Sequence, residues 1–288
     1  MNTSPRSSIK PYRGRIAPSP TGLLHIGHAC TFWTAYQRAM QSNGVLIFRN
    51  EDLDPQRSQA SYTAAMLEDL RWLGIRWQEG PDVGGPYAPY QQSLRRESYL
   101  DAWGKLRDAR AIYPCSCSRK DLALSASAPN EGDGELMYPG RCRDRVQEAS
   151  NHTDPAGVNW RFRVPDGEAI RFVDQRLGEQ SYIAGRDFGD FVVWRRDDVP
   201  AYQLAVIVDD AAMQITEVVR GADLLKSTAR QLLVLRALGL CTPAYFHCDL
   251  VRDEAGTRLA KRHDSLSLRA LREQGHTPEQ ALARCPHL

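Results

Sequence analysis

No run of apolar residues in this 288-residue chain approaches the roughly 20 that a membrane-spanning helix needs. The start, Met1 to Lys10, is polar and lacks the apolar core of a signal peptide. Neither sign of charge dominates: Lys+Arg 37 against Asp+Glu 35 leaves no net basic field of the kind that marks a nucleic-acid binder. Internal repeats are missing. So are G-x-G-x-x-G after a strand, G-x-x-x-x-G-K-[ST] and H-E-x-x-H. What is present, 42% hydrophobic and 25% charged residues, excludes a disordered tail, a collagenous repeat and a small disulfide scaffold. A cytoplasmic protein with no membrane partner is expected. The cysteine count is 7. Without a secretory signal, thiols of this kind are expected as metal ligands or reduced core residues rather than disulfides. Cys30, Cys241, Cys248 and Cys285 are read as packing residues.

The first half of the chain alternates strand-like and helical patterns. Gly14 to Ala17 reads as a strand, followed by the loop Pro18-Ser19-Pro20-Thr21-Gly22. From about Gly27 to Gln41 the period is helical, with Phe32, Ala35, Tyr36, Ala39 and Met40 on one face and Asn43-Gly44 as the stop. Val45-Leu46-Ile47-Phe48 reads as a buried strand. Tyr62, Met66, Leu70 and Leu73 then mark a second helix ended by Gly74. This order implies an α/β fold with a parallel sheet and crossover helices. From Tyr113 to about Arg186 the sequence is turn-rich, with three cysteines and the low-complexity run Ala123 to Glu135. Strand-like runs return at Phe191 to Trp194 and Leu204 to Val208, and a helix spans Ser227 to about Leu238, stopped by Gly239 and Pro243. An insertion dividing one α/β domain into two halves is expected: residues 1–112, an inserted subdomain 113–186, a second half 187–264, and a short helical tail 265–288. In that tail Ser265 to Gln274 reads as a helix, and Thr277-Pro278-Glu279-Gln280 fits a capping box with proline at the first helical position.

Chemistry concentrates in Arg15-Ile16-Ala17-Pro18-Ser19-Pro20-Thr21-Gly22-Leu23-Leu24-His25-Ile26-Gly27-His28, which joins a strand to a helix. Two histidines three apart share one face of the helix's first turn, where unpaired backbone N–H groups and the helix dipole favour a phosphate. Gly22 and Gly27 would let a flat ring or phosphate come close to the backbone. Cys115-Ser116-Cys117 and Cys142 in the insertion suggest a structural zinc with three thiolate ligands, the conventional fourth candidate being His152.

The whole string resembles the "HIGH" signature of class I aminoacyl-tRNA synthetases, in the version of their glutamyl and glutaminyl branch. Further segments extend the resemblance. Arg258-Leu259-Ala260-Lys261-Arg262 is similar to the basic "KMSKS" loop, with Arg258 in place of its first lysine and Ala260 in place of its small hydroxyl residue. Arg49-Asn50-Glu51-Asp52-Leu53-Asp54 resembles R-[IL]-E-D-T-D, Asn50 replacing the usual apolar residue. Ala201 to Val206 and Val219 to Asp223 match as well. The resemblance implies a Rossmann-like catalytic domain in which His25, His28 and Lys261 are catalytic. It implies that ATP, with Mg²⁺, is held by His25, Gly27, His28, Arg258 and Lys261. By the same resemblance glutamate is contacted by Arg15, Ile16, Ala17, Pro18, Ser19, Glu51, Tyr202 and Arg220, Glu51 taking the α-ammonium. Planar guanidinium groups suit a substrate with two carboxylates. The C-x-C…Y-x-x-x-C pattern of the family nominates Tyr138, rather than His152, beside Cys115, Cys117 and Cys142 as ligands of one structural zinc per chain.

Only residues 265–288 follow the basic loop, so no anticodon-binding domain is expected. The chain is thus identified as resembling a stand-alone catalytic-domain branch of the family. The resemblance implies a monomer that activates L-glutamate with ATP without needing tRNA. It then passes the glutamate to queuosine in the anticodon of tRNA(Asp). Two alternatives stay open, a truncated glutamyl-tRNA synthetase charging the 3′ end of tRNA(Glu) and a non-catalytic RNA-binding paralogue. Arg141, Arg143 and Arg145, with Arg195 and Arg196, are candidate phosphate contacts for the RNA.

Overall fold

The computed structural model describes residues 11–117, 137–251 and 267–285. Strand β1 (Arg13–Ile16) leads through the Pro-Ser-Pro loop into α1 (Ile26–Gln41), and β2 (Val45–Phe48) pairs with β1 in parallel. Helix α1 buries Ile26, Ala29, Cys30, Phe32, Ala35 and Ala39, close to the face expected, while Met40 is exposed at its edge. After α2 (Ala60–Trp72) and α3 (Arg96–Asp108), β3 (Ile112–Cys115), β4 (Asn159–Phe162) and β7 (Phe191–Trp194) form an antiparallel sheet in the order β3-β4-β7. Between β4 and β7 lies a hairpin, β5 (Ala169–Asp174) and β6 (Gly178–Ile183).

The second half supplies α4 (Tyr202–Ala212), β8 (Glu217–Gly221), α5 (Leu225–Leu238) and β9 (Ala244–Cys248). Strands β8 and β9 run parallel, and the hairpin joins them in the order β6-β5-β9-β8. The Thr216 amide donates to the Arg13 carbonyl at 2.9 Å, so β8 starts alongside β1. The carboxyl ends of β1 and β2 therefore lie on the same side as those of β8 and β9. Helix α5 ends on Gly239 at φ 65°, the left-handed stop that glycine adopts without a Cβ penalty.

Of four apolar clusters among the described residues, the two largest hold most of these parts. One packs α1 and α2 on β1 and β2 and includes Leu268, Leu271 and Ala281 of the terminal helices α6 (Leu268–Glu273) and α7 (Pro278–Leu282). The other gathers α3, α4, α5 and the antiparallel sheet around Trp103, Trp160 and Trp194. The capping box at Thr277 and Gln280 forms as its sequence predicts. Among the described residues no helix is long and apolar enough to cross a membrane.

Three expectations from the sequence need correction. Leu204 to Val208 is helical, not a strand, because it lies in α4. All residues from Leu204 to Asp210 are buried, so the run has no polar face to display a 3.6-residue period, and periodicity cannot separate strand from helix. Cys30 and Cys285, read as packing thiols, form a disulfide across a sequence separation of 255. No spacing rule reveals such a pair; packing of the terminal helices against α1 creates it. Cys241 is exposed and so is not a packing residue, whereas Cys248 is buried.

The disulfide is checked by labelling. Protein denatured in alkylating agent without reductant should carry five labels, on the five free cysteines, and two more after reduction.

Candidate active site

A cleft of about 500 Å³ opens where the carboxyl ends of β1, β2, β8 and β9 meet the first turn of α1. Ligand crevices in parallel α/β sheets form at this position. Arg15, Ala17, Pro18, Ser19, His25, Gly27, His28, Glu51, Tyr202 and Arg220 all line it, so residues 205 positions apart in sequence are brought together. Ile16 does not line it: its side chain is fully buried in the core and its carbonyl accepts from the Arg49 amide at 2.9 Å. Arg258 and Lys261 lie outside the described residues. The flanks of their segment border the cleft, Val251 by lining it and Ser267 by a β-bridge with His25.

The histidine wall is organised by the helix itself. His25 is the N-cap of α1; its Nδ1 accepts from the Gly27 amide at 3.1 Å, and His28 Nδ1 accepts from the His25 amide at 3.3 Å. This reciprocal capping satisfies two of the orphan donors of the first turn. A neutral imidazole whose Nδ1 accepts carries its proton on Nε2, so each ring keeps a donor on Nε2. Gly27 suits the same arrangement, since a Cβ there would lie 3.0 Å from the His25 ring and push it aside.

The opposite wall is ionic. Arg49 is fully buried; its Nη1 donates to Asp210 Oδ1 at 2.6 Å and its Nη2 to Glu51 Oε1 at 3.0 Å. Arg15 reaches the same Asp210 oxygen at 3.3 Å and the Val219 carbonyl at 3.1 Å. Burial alone would raise the Asp210 carboxyl, but Arg49 and Arg15 hold it below its ordinary range. Glu51 is raised instead, because burial outweighs the pull of Arg49 and Arg15. Arg220 donates to Tyr202 Oη, Gln231 Oε1 and Thr228 Oγ1 at 3.3, 2.9 and 2.6 Å. Sequence reasoning missed Arg49 and Asp210 as site builders. Their signal was present, a charged pair Asp209-Asp210 inside an apolar run and an arginine directly after a buried strand. Asn50 keeps its place with its amide oxygen 3.4 Å from the Thr63 hydroxyl.

Away from the cleft, the sulfurs of Cys115, Cys117 and Cys142 lie within 4.8 Å of one another. Cys117 Sγ is 3.7 Å from Cys142 Sγ, and Tyr138 Oη is 3.5 and 3.8 Å from Cys115 Sγ and Cys117 Sγ. Four donors around a tetrahedral zinc with Zn–S near 2.3 Å should be separated by about 3.5–3.8 Å. Donor type and spacing therefore fit one such ion. Despite burial, hydrogen bonds from Tyr138, the Ser116 amide and the other thiols bring Cys142 down to about 6, whereas burial pushes Cys117 up to about 11 and raises Tyr138. His152 instead packs edge-on against Trp160 at 5.2 Å and is not among the residues grouped around the sulfurs.

A larger groove of about 1180 Å³ adjoins the cleft and shares Ser19, Glu51 and Tyr202 with it. Arg57, Arg161, Arg195, Arg196 and Arg230 border this groove. Of the arginines read as RNA contacts, Arg195 and Arg196 lie here. Arg143 pairs with Asp190 at 3.0 Å and Arg145 with Glu148 at 2.7 Å, and neither borders the groove; nor does Arg141.

The model of the family "tRNA synthetases class I (E and Q), catalytic domain" matches residues 12–287. The chain belongs to this family. It is 48% identical over 265 residues to a glutamyl-Q tRNA(Asp) synthetase of Nitratidesulfovibrio vulgaris, covering 91% of this chain and 82% of that protein. A glutamyl-Q tRNA(Asp) synthetase of Symbiobacterium thermophilum is 46% identical, with coverages of 96% and 85%. Among solved structures, the glutamate tRNA ligase of Elizabethkingia meningosepticum in complex with its amino acid aligns with TM-score 0.75 and 32% identity. That alignment covers 88% of this chain and 52% of the ligase, so the chain spans about half the length of that relative. The family consists of class I synthetases, and the α/β catalytic fold expected from the sequence is the one observed.

The ionic wall makes a stability prediction. Arg49→Met should leave Glu51 and Asp210 buried without their shared cation and cost about 3–5 kcal/mol, read by urea unfolding. Without Arg49 the Glu51 carboxyl, already raised by burial, would titrate further above its unfolded value, and Asp210 would keep only Arg15 to hold it down. A raised folded pKa adds stability at low pH that is lost as pH rises. The deficit should therefore be smaller at pH 5 than at pH 8.

Proposed function

We propose that this chain activates L-glutamate with ATP and transfers it to queuosine in the anticodon of tRNA(Asp). The observation that carries the reading is the convergence of Arg15, Ser19, Glu51, Tyr202 and Arg220 in one cleft with the histidine-capped start of α1. Support for the acceptor comes from two relatives, both glutamyl-Q tRNA(Asp) synthetases, that this chain matches over most of their length.

In the first step a glutamate carboxylate oxygen attacks the α-phosphorus of ATP, the bond to the bridging oxygen breaks, and pyrophosphate leaves. Such a reaction needs charge stabilisation and placement more than acid–base chemistry. Glu51 holds the α-ammonium, and Arg15, Tyr202 and Arg220 take the carboxylates, with Ala17, Pro18 and Ser19 shaping the floor. His25 and His28 donate from Nε2 to phosphate oxygens, and Gly27 lets the nucleotide approach. Arg258 and Lys261 neutralise the leaving pyrophosphate, and Mg²⁺ accompanies ATP. In the second step a hydroxyl of the queuosine cyclopentenediol attacks the mixed anhydride, and AMP leaves. The zinc would be structural: Cys115, Cys117, Cys142 and Tyr138 hold it in an inserted subdomain, residues 113–186, between the two catalytic halves.

Glutamate-dependent exchange between ATP and pyrophosphate should occur without RNA. Lys261→Ala should slow it by about 100-fold or more with little change in glutamate KM, as expected for a group acting on charge that develops in the transition state. Unchanged turnover would remove Lys261 from the mechanism.

Labelled glutamate should reach queuosine-containing tRNA(Asp) and leave tRNA(Asp) without queuosine inert. After transfer the modified base should resist periodate while the 3′-terminal ribose stays oxidisable. Charging of tRNA(Glu) at its 3′ end would replace this acceptor with that of a truncated glutamyl-tRNA synthetase.

Metal analysis of protein purified without chelator should find one zinc per chain. Three freely reactive thiols at Cys115, Cys117 and Cys142, with no zinc, would reject the metal site.

A further inference from the structure

Behind Arg220 lies a buried set of side chains that do not line the cleft. Arg220 Nε donates to His247 Nε2 at 3.2 Å, and Thr228 Oγ1 is 3.1 Å from the same nitrogen. His247 Nδ1 is 2.6 Å from Asp174 Oδ2, and both residues are fully buried. Asp174 is fixed in turn: its Oδ1 accepts from the Arg176 and Leu177 amides at 3.1 and 2.9 Å, and its Oδ2 from the His247 amide at 3.1 Å.

The roles within this chain of contacts follow from what each group can do. A guanidinium has donors and no acceptor, so His247 Nε2 must accept from it. Nδ1 then carries the proton and donates to Asp174. The Thr228 hydroxyl can also donate to Nε2, so it does not oppose this tautomer. A charged imidazolium would bring a proton on Nε2 against the guanidinium. Burial and the Arg220 charge push His247 down to about 4, the Asp174 hydrogen bond pulling the other way, so the ring stays neutral near neutral pH.

We propose that His247, oriented by Asp174, is a positioning residue for Arg220. Its Nε2 lone pair sets the rotation of the guanidinium, and with it the edge that Arg220 presents to a substrate carboxylate. Gln231 and Thr228 hold the Nη atoms from the protein side, at 2.9 and 2.6 Å, and only Tyr202 among the Arg220 partners lines the cleft with it. Without an acceptor at Nε the group is held through its Nη atoms alone, and the edge it turns to a carboxylate is less tightly set. The proposal rests on the reading of Arg220 as a glutamate contact.

Two measurements test it in the full-length protein. The imidazole ¹⁵N spectrum should show His247 with a protonated Nδ1 and an unprotonated Nε2 at pH 7; the opposite tautomer, or a doubly protonated ring, overturns the proposal. In ATP–pyrophosphate exchange, His247→Asn keeps a donor toward Asp174 but loses the acceptor toward Arg220. It should raise glutamate KM about tenfold, the loss expected for one hydrogen bond to a charged group, with ATP KM unchanged. His247→Gln, whose side-chain carbonyl reaches Arg220, should recover most of that loss. Equal losses in the two variants, or a parallel rise in ATP KM, would mark His247 as merely structural and overturn the proposal. If His247→Asn does not fold, the wild-type spectrum decides. Absence of glutamate-dependent exchange in the wild type would reject the functional reading alone, because the tautomer is read independently of activity.

Discussion

The buried guanidinium of Arg49 is the point on which the cleft depends. It stands at the end of β2 with no exposed surface and binds Glu51 on its own strand exit and Asp210 on α4. Through Asp210 it is linked to Arg15 at the end of β1. Breaking this arrangement costs far more than building it gains, since an uncompensated buried carboxylate is expensive while a complete pair roughly offsets its own desolvation. Its contribution is therefore less net stability than placement. The exits of β1 and β2 and the last turn of α4 cannot shift independently while the Asp210 carboxylate is shared by Arg15 and Arg49. Asp209, next to Asp210, repeats the device one position away, accepting from Gln92, Arg95 and Tyr99 and so tying α4 to α3.

Placement matters because the chemistry proposed here asks the protein for fixed charges rather than for a base. The groups assigned to the chemistry are held by partners within the protein: His25 and His28 by backbone amides, Glu51 by Arg49, Arg15 by Asp210 and the Val219 carbonyl, Arg220 by Gln231, Thr228 and His247. Preorganised donors of this kind need no rearrangement when charge develops on a substrate. The strands bring them together by their carboxyl ends, and α1 adds its positive dipole end to the same space.

What the sequence disclosed and what it hid divide along physical lines. Local signals were legible. The strand–loop–helix of residues 13–41, the second helix with its glycine stop and the Thr277 capping box all depend on neighbours within four positions. The motif resemblance placed Arg15, Ser19, His25, His28, Glu51, Tyr202 and Arg220, all of which the fold gathers in one cleft. Helix α4 was misread because its residues 204–210 are all buried and lack the polar face that reveals a helical period. The Cys30–Cys285 bridge and the Asp174–His247–Arg220 contacts join positions 255, 73 and 27 apart, and nothing local in the sequence pairs them. Tyr138 over His152 was a choice the residues left open; the 3.5 Å from Tyr138 Oη to Cys115 Sγ and the packing of His152 on Trp160 favour the tyrosine.

The two cavities suggest how a large acceptor and two small substrates share one site on the proposed reading. A cleft of about 500 Å³ is of ordinary size for small ligands, and among the described residues Arg15, Glu51 and Arg220, the charged groups that suit glutamate, line it with the two histidines. A stem-loop of RNA cannot enter such a space; only a base splayed from the loop can. The groove of about 1180 Å³ meets the cleft at Ser19, Glu51 and Tyr202, beside the glutamate contacts rather than beside the histidines. An acceptor arriving along the groove would therefore approach from the amino-acid side, where the activated carboxyl lies. The arginines along the groove suit a phosphate backbone, but several are already paired, Arg195 with Asp54 and Asp197 among them. RNA binding there must exchange existing ion pairs for phosphate contacts. Such an exchange gains little from charge alone, so on the proposed reading selection of the acceptor would rest on the base rather than on the backbone.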